Sequence, residues 1–358
     1  MRPTLQTVAD AVGVSRSTVS NAYSRPDQLS PELRERIMEA AHKLGYAGPD
    51  AAARTLRRGK ARAIGVVFTS TLSYAFTDPY AVQYLRGIAE AVERTGTGML
   101  LVPVSLHDEA DAIAAINDAV VDGFSLYCLP DWHPALKAIQ ARGLPVVRGQ
   151  LGPGFDDDVA YVGIDEAAAT REAGEHLVGL GHRRIAIVGE YFAEGGRIGP
   201  IETPQPDEVT FSTSRERLRG YQEAFGDAGI DWADVTLVSV DGNSRERGEA
   251  AAASVLDRAP RPTAIVALSD ILALGVLDAL HARDLRPGHD ISVVGFDDVP
   301  EATAASLTTV RQPAAERGRI TAELLLAPPT NPADRNVVLP TELVVRGSTG
   351  PASTRRTS

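Results

Sequence analysis

Four polar side chains near the amino terminus, Arg16, Ser17, Ser20 and Asn21, are spaced as on one face of a helix. Their donors and acceptors suit the edges of base pairs, which a helix can reach in the major groove of DNA. The alternative is an ordinary solvated helix face that binds nothing outside the chain. The elements that hold these four side chains decide between the two interpretations.

Three short helices are predicted around these side chains. The first is amphipathic and ends in a turn at Gly13, and Ser15 can cap the second. Apolar residues recur at helical spacing on both, so the two helices can pack together and turn their polar faces outward. Ser30, followed by a proline and a glutamate, starts a third helix that ends at Gly45. This pattern predicts a helix-turn-helix DNA-binding headpiece over residues 1–47.

The segment from Thr4 to Tyr46, TLQTVADAVGVSRSTVSNAYSRPDQLSPELRERIMEAAHKLGY, resembles a known headpiece without a gap. It is that of the lactose/galactose-repressor (LacI/GalR) family of bacterial transcription regulators. The resemblance implies that Arg16, Ser17 and Asn21 contact base edges. It also implies a further set of DNA contacts, with phosphates held by the serines: Leu5, Ser15, Ser20, Ser24, Ser30 and Tyr46.

Residues 48–62 form a basic stretch with no acid after Asp50 and with a helical pattern in the middle. The stretch is too short and polar to be a stable helix alone, so we expect it to order only against an anion. It resembles the family's hinge helix, which implies that Leu56, with Ala53 and Arg54 beside it, enters the minor groove and bends the duplex. The alternative is a flexible linker whose leucine packs on the next domain.

Charge is distributed unevenly along the 358 residues. Residues 1–60 contain ten Lys/Arg and six Asp/Glu, a net charge of +4, whereas the remainder contains 26 and 41, a net charge of −15. A basic end on a chain whose net charge is −11 attracts DNA to that end and repels it elsewhere.

From residue 63 onward, short continuous apolar runs alternate with helical patterns, for example over 83–94 and 108–120. Such runs are typical of parallel strands covered by helices on both faces. They fall into two series, which predicts a two-lobed α/β body over residues 63–346 and a disordered tail at 347–358. The predicted strands are 64–68, 99–102, 123–127 and 145–147 in one lobe and 185–188, 235–238, 264–267 and 292–295 in the other.

Three stretches of the body, VGLGHRRIAIVG, SRERLRGYQEAF and ISVVGFDDVPEATAASLTTVRQP, resemble the same family. The resemblance implies the type I periplasmic-binding-protein-like fold, with a small-molecule effector in the cleft between the lobes. Matching positions imply five effector-binding residues: Tyr80, Gln150, Arg217, Ser269 and Asp297. The family usually has an aspartate at the position of Gln150. The neutral amide of Gln150 departs from ordinary recognition of sugar hydroxyls. The alternative to effector binding is that Arg217 is an ordinary solvated side chain and that Asp297 caps a loop.

Two segments near the expected cleft are unusually long. Residues 70–77 bring Tyr74 and Phe76 towards its mouth. Residues 190–212 are rich in glycine and proline and exceed the usual length of a connection. This second segment could be a lid over the cleft or a disordered loop, and a lid is favoured.

No residue spacing indicates a metal site, a glycine-rich cofactor motif or a nucleophile with its base, so we expect no enzyme, no cofactor and no metal. The single cysteine, Cys128, gives no disulfide framework, and no apolar run is long enough to cross a membrane. Since the first residues lack a signal-peptide core, we expect a cytoplasmic, nucleoid-associated protein.

The sequence therefore predicts a ligand-responsive transcription regulator, a repressor that binds a palindromic operator as a homodimer. Its expected partners are double-stranded operator DNA and a small effector, sugar-like or another polar metabolite. The resemblance places dimer contacts on helices near 84–94 and 274–282, although these helices could simply cover the sheets. The alternative function is a cytoplasmic module that binds a sugar- or nucleoside-like molecule without sequence-specific regulation.

Overall fold

The computed structural model describes most of the chain, namely residues 3–48, 59–69, 71–130, 132–150, 159–190, 192 and 199–353. The chain divides into two units, residues 1–62 and 63–358. The predicted hinge residues Ala53, Arg54 and Leu56 lie outside the described residues, so their role stays a prediction.

The described part of the headpiece confirms the three predicted helices, α1 (Leu5–Val12), α2 (Arg16–Ser24) and α3 (Pro31–Lys43). A capping box at Thr4 begins α1, and Gly13 ends it with a φ of 76°, in the left-handed region that favours glycine. Ser15 and Ser30 cap α2 and α3. Apolar side chains of all three helices form one small core: Val8, Ala9, Val19, Ala22, Ile37 and Ala41.

The predicted outward face of α2 is wrong at one position, Ser20. The exposed fraction of this residue is 5%, and α2 buries it together with Val19 and Ala22. Because α2 contacts both α1 and α3, its buried arc is wider than that of a helix with a single neighbour. Arg16 is exposed as predicted, and Asn21 is partly buried.

The first lobe of the body is built on one sheet. Its described strands, numbered in chain order, are β1 (Ala63–Phe68), β2 (Gly98–Pro103), β3 (Phe124–Leu126), β4 (Val146–Arg148), β5 (Ala160–Ile164) and β12 (Asn336–Leu339). They are all parallel and follow the order β12-β5-β4-β3-β1-β2. The helices of this lobe are α4 (Tyr74–Thr77), α5 (Pro79–Glu93), α6 (Glu109–Asp118), α7 (Ala135–Ala141) and α13 (Ala314–Leu326).

The second lobe has its own sheet. Its described strands are β6 (Ile185–Glu190), β7 (Gly199–Ile201), β8 (Thr236–Val240), β9 (Ala264–Ala267), β10 (Ser292–Asp297), β11 (Thr308–Arg311) and β13 (Glu342–Val344). The order is β13-β11-β10-β9-β6-β8-β7, with only the two edge strands antiparallel among those described. The helices are α8 (Glu166–Gly179), α9 (Ser212–Asp227), α10 (Arg245–Leu256), α11 (Asp270–His281) and α12 (Pro300–Ala304).

The described chain passes between the lobes three times, after β5, after β11 and after β12. Helix α13 and strand β12, which come late in the sequence, therefore complete the first lobe. The two contiguous series of apolar runs did not predict this arrangement. Strand β12 lies at a sheet edge and its side chains are alternately exposed and partly buried, so it has no continuous apolar run.

The predicted disordered tail is wrong for residues 347–353. Ser348 is 1% exposed, and its hydroxyl accepts a hydrogen bond from the Thr308 amide at 2.8 Å. The carbonyl oxygen of Gly350 lies 3.0 Å from the buried imidazole of His182. Small polar residues give this segment no apolar pattern, yet their hydrogen bonds attach it to the second lobe.

Part of the long 190–212 loop extends the second sheet, and its end, at Phe211, lines the cleft between the lobes, so a lid stays a prediction. Residues 199–201 are strand β7, which pairs with β8. The indole of Trp232 donates a hydrogen bond to the Pro204 carbonyl at 2.9 Å, which holds the following turn. Residues 191 and 193–198 lie outside the described residues.

Helices α5 and α11, where the resemblance places dimer contacts, each have one face packed against a neighbouring helix. A Cβ atom at Gly87 would lie 1.8 Å from the carbonyl oxygen of Ala315 on α13. One at Gly275 would lie 2.0 Å from the carbonyl oxygen of Arg245 on α10. Only glycine permits such a close approach, so these faces are used within the chain. Dimer contacts on the remaining faces stay a prediction.

Candidate DNA-contact surface and effector cleft

The start of α2 carries the side chains predicted to contact bases. Arg16 is the first residue of the helix and is exposed, and its guanidinium has no hydrogen bond or ion pair with another described residue. Ser15 accepts from the Thr18 amide at 3.0 Å, and its hydroxyl lies 2.7 Å from that of Ser17. No acidic residue stands in the first turn of α2. The helix N-terminus and Arg16 therefore both favour an anion.

The other serines of the predicted DNA surface also have partners within the headpiece. Ser30 accepts from the Leu33 amide at 3.3 Å, which leaves its own proton available for a phosphate oxygen. Ser24 instead donates its proton to the Ser20 carbonyl at 2.9 Å. A phosphate contact by Ser24 would require this bond to break.

Leu5 and Tyr46, the remaining predicted DNA contacts, are partly buried against the headpiece core. The ring of Tyr46 packs edge-on against that of Tyr23, with centroids 6.1 Å apart. Both side chains therefore stabilise the headpiece, whatever they contact in addition.

A cleft of about 560 Å³ lies between the two lobes and is lined by the carboxyl ends of strands from both sheets. Parallel α/β sheets bind their ligands at this end. All five predicted effector residues line it: Tyr80 and Gln150 from the first lobe, and Arg217, Ser269 and Asp297 from the second. The structure thus brings together residues that are far apart in the sequence.

Arg217, on α9, is fixed by the protein around it. Its Nε donates to the Glu166 carboxylate at 2.7 Å, and one terminal nitrogen donates to the Leu268 carbonyl. The guanidinium carbon lies 3.7 Å from the ring centroid of Phe296. One terminal nitrogen remains without a hydrogen bond to the described residues and can donate to a ligand.

Asp297 ends β10 with a φ of 130°, a conformation that residues other than glycine rarely adopt. It accepts a hydrogen bond from the Gln312 amide at 2.6 Å. Burial, followed by the nearby charge of Asp270, raises the pKa of Asp297 well above its ordinary range. The adjacent Asp298 instead pairs with Arg346 at 2.6 Å, so the loop-capping role fits Asp298.

Ser269 begins a chain of hydrogen bonds that crosses the cleft. It caps α11 by accepting from the Leu272 amide at 3.2 Å and donates to the Asn243 side chain at 2.5 Å. Asn243 in turn donates to the Tyr74 hydroxyl, in the first lobe, at 3.1 Å. Tyr74 therefore lines the cleft as expected, whereas Phe76 is 67% exposed and is not among the lining residues.

Gln150 also connects the lobes, since its side-chain oxygen accepts from the Ser212 hydroxyl at 3.1 Å. Its amide nitrogen lies 3.4 Å from the sulfur of Cys128. The hydroxyl of Tyr80 accepts from Arg317 at 2.8 Å. Arg317 lies on α13, which follows the second passage between the lobes, and only 7% of it is exposed.

Several polar groups that line the cleft were missing from the predicted effector residues, among them Glu166, Glu190, Asp241, Asn243, Gln312 and Arg317. Glu190 ends β6, and Asp241 and Gln312 directly follow β8 and β11. Since ligands bind at the carboxyl ends of parallel strands, these three could have been found from the strand ends. No sequence pattern marks Arg317, which lies inside a helix.

Glu190 is a partly buried carboxyl group of the cleft. Burial raises the pKa of Glu190 to about 7, and the negative charges of Asp78 and Asp241 act in the same direction. Arg217 opposes this shift. A ligand that donates hydrogen bonds to Glu190, or that is positively charged, would favour the ionised carboxylate.

Within the described ranges, no three or more histidine, cysteine, aspartate or glutamate side chains are placed to hold a metal ion. Nor does any helix of the described residues combine the length and apolar character needed to cross a membrane.

Comparison with known proteins agrees with both units. Residues 4–48 match the lacI family of bacterial regulatory proteins, and residues 175–349 match a periplasmic binding protein-like domain. A helix-turn-helix transcriptional regulator of Mycobacterium tuberculosis is 42% identical over 351 residues, which are 98% of each chain.

Two solved structures are similar over nearly the whole chain. The complex of the transcriptional regulator CelR with cellobiose is 31% identical, with a TM-score of 0.68, and the match covers 97% of this chain and 100% of that one. The lac repressor dimer bound to operator and the anti-inducer ONPF is 26% identical, with a TM-score of 0.75, over 98% and 100%. The chain belongs to the lacI family and is a DNA-binding transcription regulator, not an enzyme.

Proposed function

We propose that this regulator is a repressor that binds a palindromic operator as a homodimer and changes its operator affinity when an effector enters the cleft. The observation that carries this proposal is that Tyr80, Gln150, Arg217, Ser269 and Asp297, from two lobes, line one cleft. A ligand held by both lobes favours one angle between them over others. This difference in affinity between two conformations is what a ligand-operated switch requires.

In the headpiece, Arg16, Ser17 and Asn21 are proposed to contact base edges. The exposed, unpaired guanidinium at the start of α2 supports this role for Arg16. The phosphate contacts are assigned to Ser30, which keeps a proton to donate, and to Ser15, which is exposed at the start of α2. Ser20 is not proposed to contact a phosphate, because its side chain is buried. The net charge of +4 over residues 1–60 would supply the part of the affinity that is independent of sequence.

The segment 48–62 is proposed to couple the two units by ordering against DNA, with Leu56, beside Ala53 and Arg54, as a wedge in the minor groove. In a dimer, the spacing of two such wedges would depend on the angle between the lobes. Coupling of about 1–3 kcal/mol between effector and operator is typical of such linkage, and it is reciprocal.

A sugar-like effector is the class that the cleft supports best. The similar CelR structure contains cellobiose and covers 97% of this chain. The lining of the cleft combines the aromatic rings of Tyr74 and Tyr127 with amide, carboxyl and guanidinium groups. Carbohydrates present both apolar ring faces and hydroxyl groups, so they fit a lining of this mixed character.

The experiment that tests this proposal is a selection of binding sites from random duplex DNA, with the full-length protein at near-physiological salt. We expect a palindrome with a flexible central step, since such a step is the easiest to bend around the proposed wedge. Salt-sensitive binding without an enriched site would contradict the proposal.

The recovered operator then permits a screen of carbohydrates for their effect on operator affinity. The variant Arg217→Ala is expected to lose the effector response while its operator affinity stays nearly unchanged. Arg219→Ala is the matched control, because Arg219 lies on the same helix but outside the cleft. Loss of operator binding in Arg217→Ala would instead indicate that Arg217 stabilises the fold.

A further inference from the structure

The arginines of the cleft are largely bound by the protein itself. Arg247 holds both oxygens of the Asp241 carboxylate, at 2.7 and 3.1 Å. Arg217 pairs with Glu166 at 2.7 Å. The charge of each of these guanidinium groups is therefore already matched by a carboxylate of the same cleft.

Arg317 is held in place by the protein through three of its five N–H donors. Each of its three nitrogens donates to the protein, one to the Tyr80 hydroxyl at 2.8 Å, one to the Val162 carbonyl at 3.1 Å and one to the Gly149 carbonyl. These acceptors come from three separate segments of the first lobe, so Arg317 holds that lobe together at the cleft. Moving it towards a ligand would leave buried oxygens without a donor.

Gln312, in contrast to these arginines, has a side-chain acceptor without a hydrogen-bond partner among the described residues. Only 5% of this residue is exposed, it lines the cleft, and its side-chain oxygen has no hydrogen-bond partner in the described structure. Its amide nitrogen donates to Asp297, and this bond fixes which end of the amide faces away from the carboxylate. A buried acceptor without a partner is rare in native proteins, so the position favours a donor supplied by a ligand.

Glu190 is a second available acceptor. Its carboxylate makes no hydrogen bond or ion pair with the described residues. Burial also raises the pKa of Glu190 to about 7, as expected for a carboxyl group without a cationic partner. The acids of the lining outnumber its three arginines: Asp78, Glu166, Glu190, Asp241 and Asp297.

We propose that the cleft selects effectors that donate hydrogen bonds and carry no negative charge, such as neutral polyols and amino sugars, and that it rejects phosphorylated or carboxylated sugars. This inference rests on the proposed function, because it concerns the same effector site. One ligand donor meets the side-chain oxygen of Gln312, and another meets the carboxylate of Glu190. An anion would meet these acceptors and the carboxyl of Asp297 instead, while the charges of Arg217 and Arg247 are already paired with Glu166 and Asp241.

Crystals of the full-length protein, soaked separately in glycerol, Tris and inorganic phosphate at one high concentration, test the proposal. The three probes are a neutral polyol, a cationic polyol and an anion. We expect a hydroxyl of glycerol or Tris within hydrogen-bond distance of the Gln312 side-chain oxygen, and no phosphate in the cleft. Phosphate bound at Arg217 or Arg317 would overturn the proposal. An empty cleft in all three soaks would overturn it equally, since the free acceptors would then recruit no donor.

Two variants assign the effect to the named groups, with dissociation constants measured by NMR titration. Glu190→Gln removes the charge and should weaken Tris binding roughly tenfold while glycerol binding changes little. Its matched control is Glu202→Gln, the same substitution at an exposed site. Gln312→Met removes the acceptor at similar size and should weaken the binding of both polyols. Unchanged Tris binding in Glu190→Gln would contradict the assignment even if Gln312→Met failed to fold.

Failure of this inference and failure of the proposed function give different results. Phosphate in the cleft would overturn the selectivity for donors and leave the cleft as the effector site. Selection of no operator sequence would overturn the proposed function, while the occupancy of the cleft in the soaks would be unaffected.

Discussion

Two arginines, Arg16 of the headpiece and Arg317 of the body, serve opposite purposes. Arg16 is exposed at the start of α2 and has no partner among the described residues. Arg317 is 7% exposed and binds three oxygen atoms of its own chain. Arg16 thus keeps its donors for an external polyanion, whereas Arg317 binds its own chain and the cleft keeps an acceptor without a described partner at Gln312. The same residue type is a recognition group in one unit and a structural group in the other.

The largest expected effect is on the stability of the body. Arg317→Met removes the donor of three oxygen atoms and should lower the free energy of unfolding by about 3–5 kcal/mol. The matched variant Arg16→Met should change it by about 0.5 kcal/mol or less, because Arg16 is exposed. Urea unfolding followed by circular dichroism measures both values. Equal, small changes would remove the contrast between the two arginines.

A second effect concerns the pH dependence of stability in the body. The pKa of Glu190 is about 7 in the folded chain, against an ordinary value of 4.5. Between these values the folded chain binds more protons than the unfolded chain, so this group makes stability fall as the pH rises. The loss is about 2–3 kcal/mol by pH ~8, and Glu190→Gln should abolish this share of it.

Unfolding free energies at pH ~5 and pH ~8 for both proteins measure this difference. Part of the slope should survive in Glu190→Gln, because burial also raises the pKa of Asp270 to about 6. The headpiece should show no such loss, since a hydrogen bond from Lys43 lowers the pKa of Glu39 there. An identical pH slope in the wild type and the variant would show that Glu190 ionises normally.

A third effect is confined to the binding of DNA. Arg16→Ala should weaken operator binding by about 1–3 kcal/mol and relax the preference at one symmetric base pair. Its unfolding free energy should stay unchanged, because no described contact is lost. Fluorescence anisotropy with the selected operator and with variants of single base pairs measures this. An unchanged sequence preference with weaker binding would make Arg16 a phosphate contact.

The headpiece was largely predictable because its elements are local. Thr4, Ser15 and Ser30 stand directly before the helices that they cap, and Gly13 stands at the turn that it permits. The burial of Ser20 escaped prediction, since it depends on two neighbouring helices at once. Eight strands of the body were predictable for the same local reason, whereas five of the described strands were not: β5, β7, β11, β12 and β13.

The cleft was only partly predictable because the chain enters each lobe more than once. Arg317 and Gln312 follow the second passage between the lobes, so their positions depend on a topology that apolar runs do not encode. Tyr80, Arg217 and Asp297 were found through the resemblance to a family, not through a local pattern. Residues at the carboxyl ends of strands, such as Glu190, are predictable from the general rule that parallel sheets bind their ligands there.

The smallest expected effect separates two roles of one serine. Ser15 caps α2 by accepting from the Thr18 amide at 3.0 Å, and its hydroxyl is also proposed to hold a phosphate. Ser15→Ala should destabilise the headpiece by about 1 kcal/mol, whereas Ser15→Gly should cost a few tenths of this, since glycine is tolerated at the cap. Both variants lack the hydroxyl, so both should lose the same amount of operator affinity if the phosphate contact exists.

Thr4 provides the control, because it caps α1 by accepting from the Thr7 amide and is not a predicted DNA contact. Thr4→Ala should lower headpiece stability like Ser15→Ala, yet leave operator affinity unchanged at temperatures where the headpiece is folded. If Ser15→Gly binds the operator as tightly as the wild type, the hydroxyl is a cap alone. Ser15 would then resemble Arg317 of the cleft, because both would form hydrogen bonds only within their own chain. The contrast between the two units would rest on Arg16.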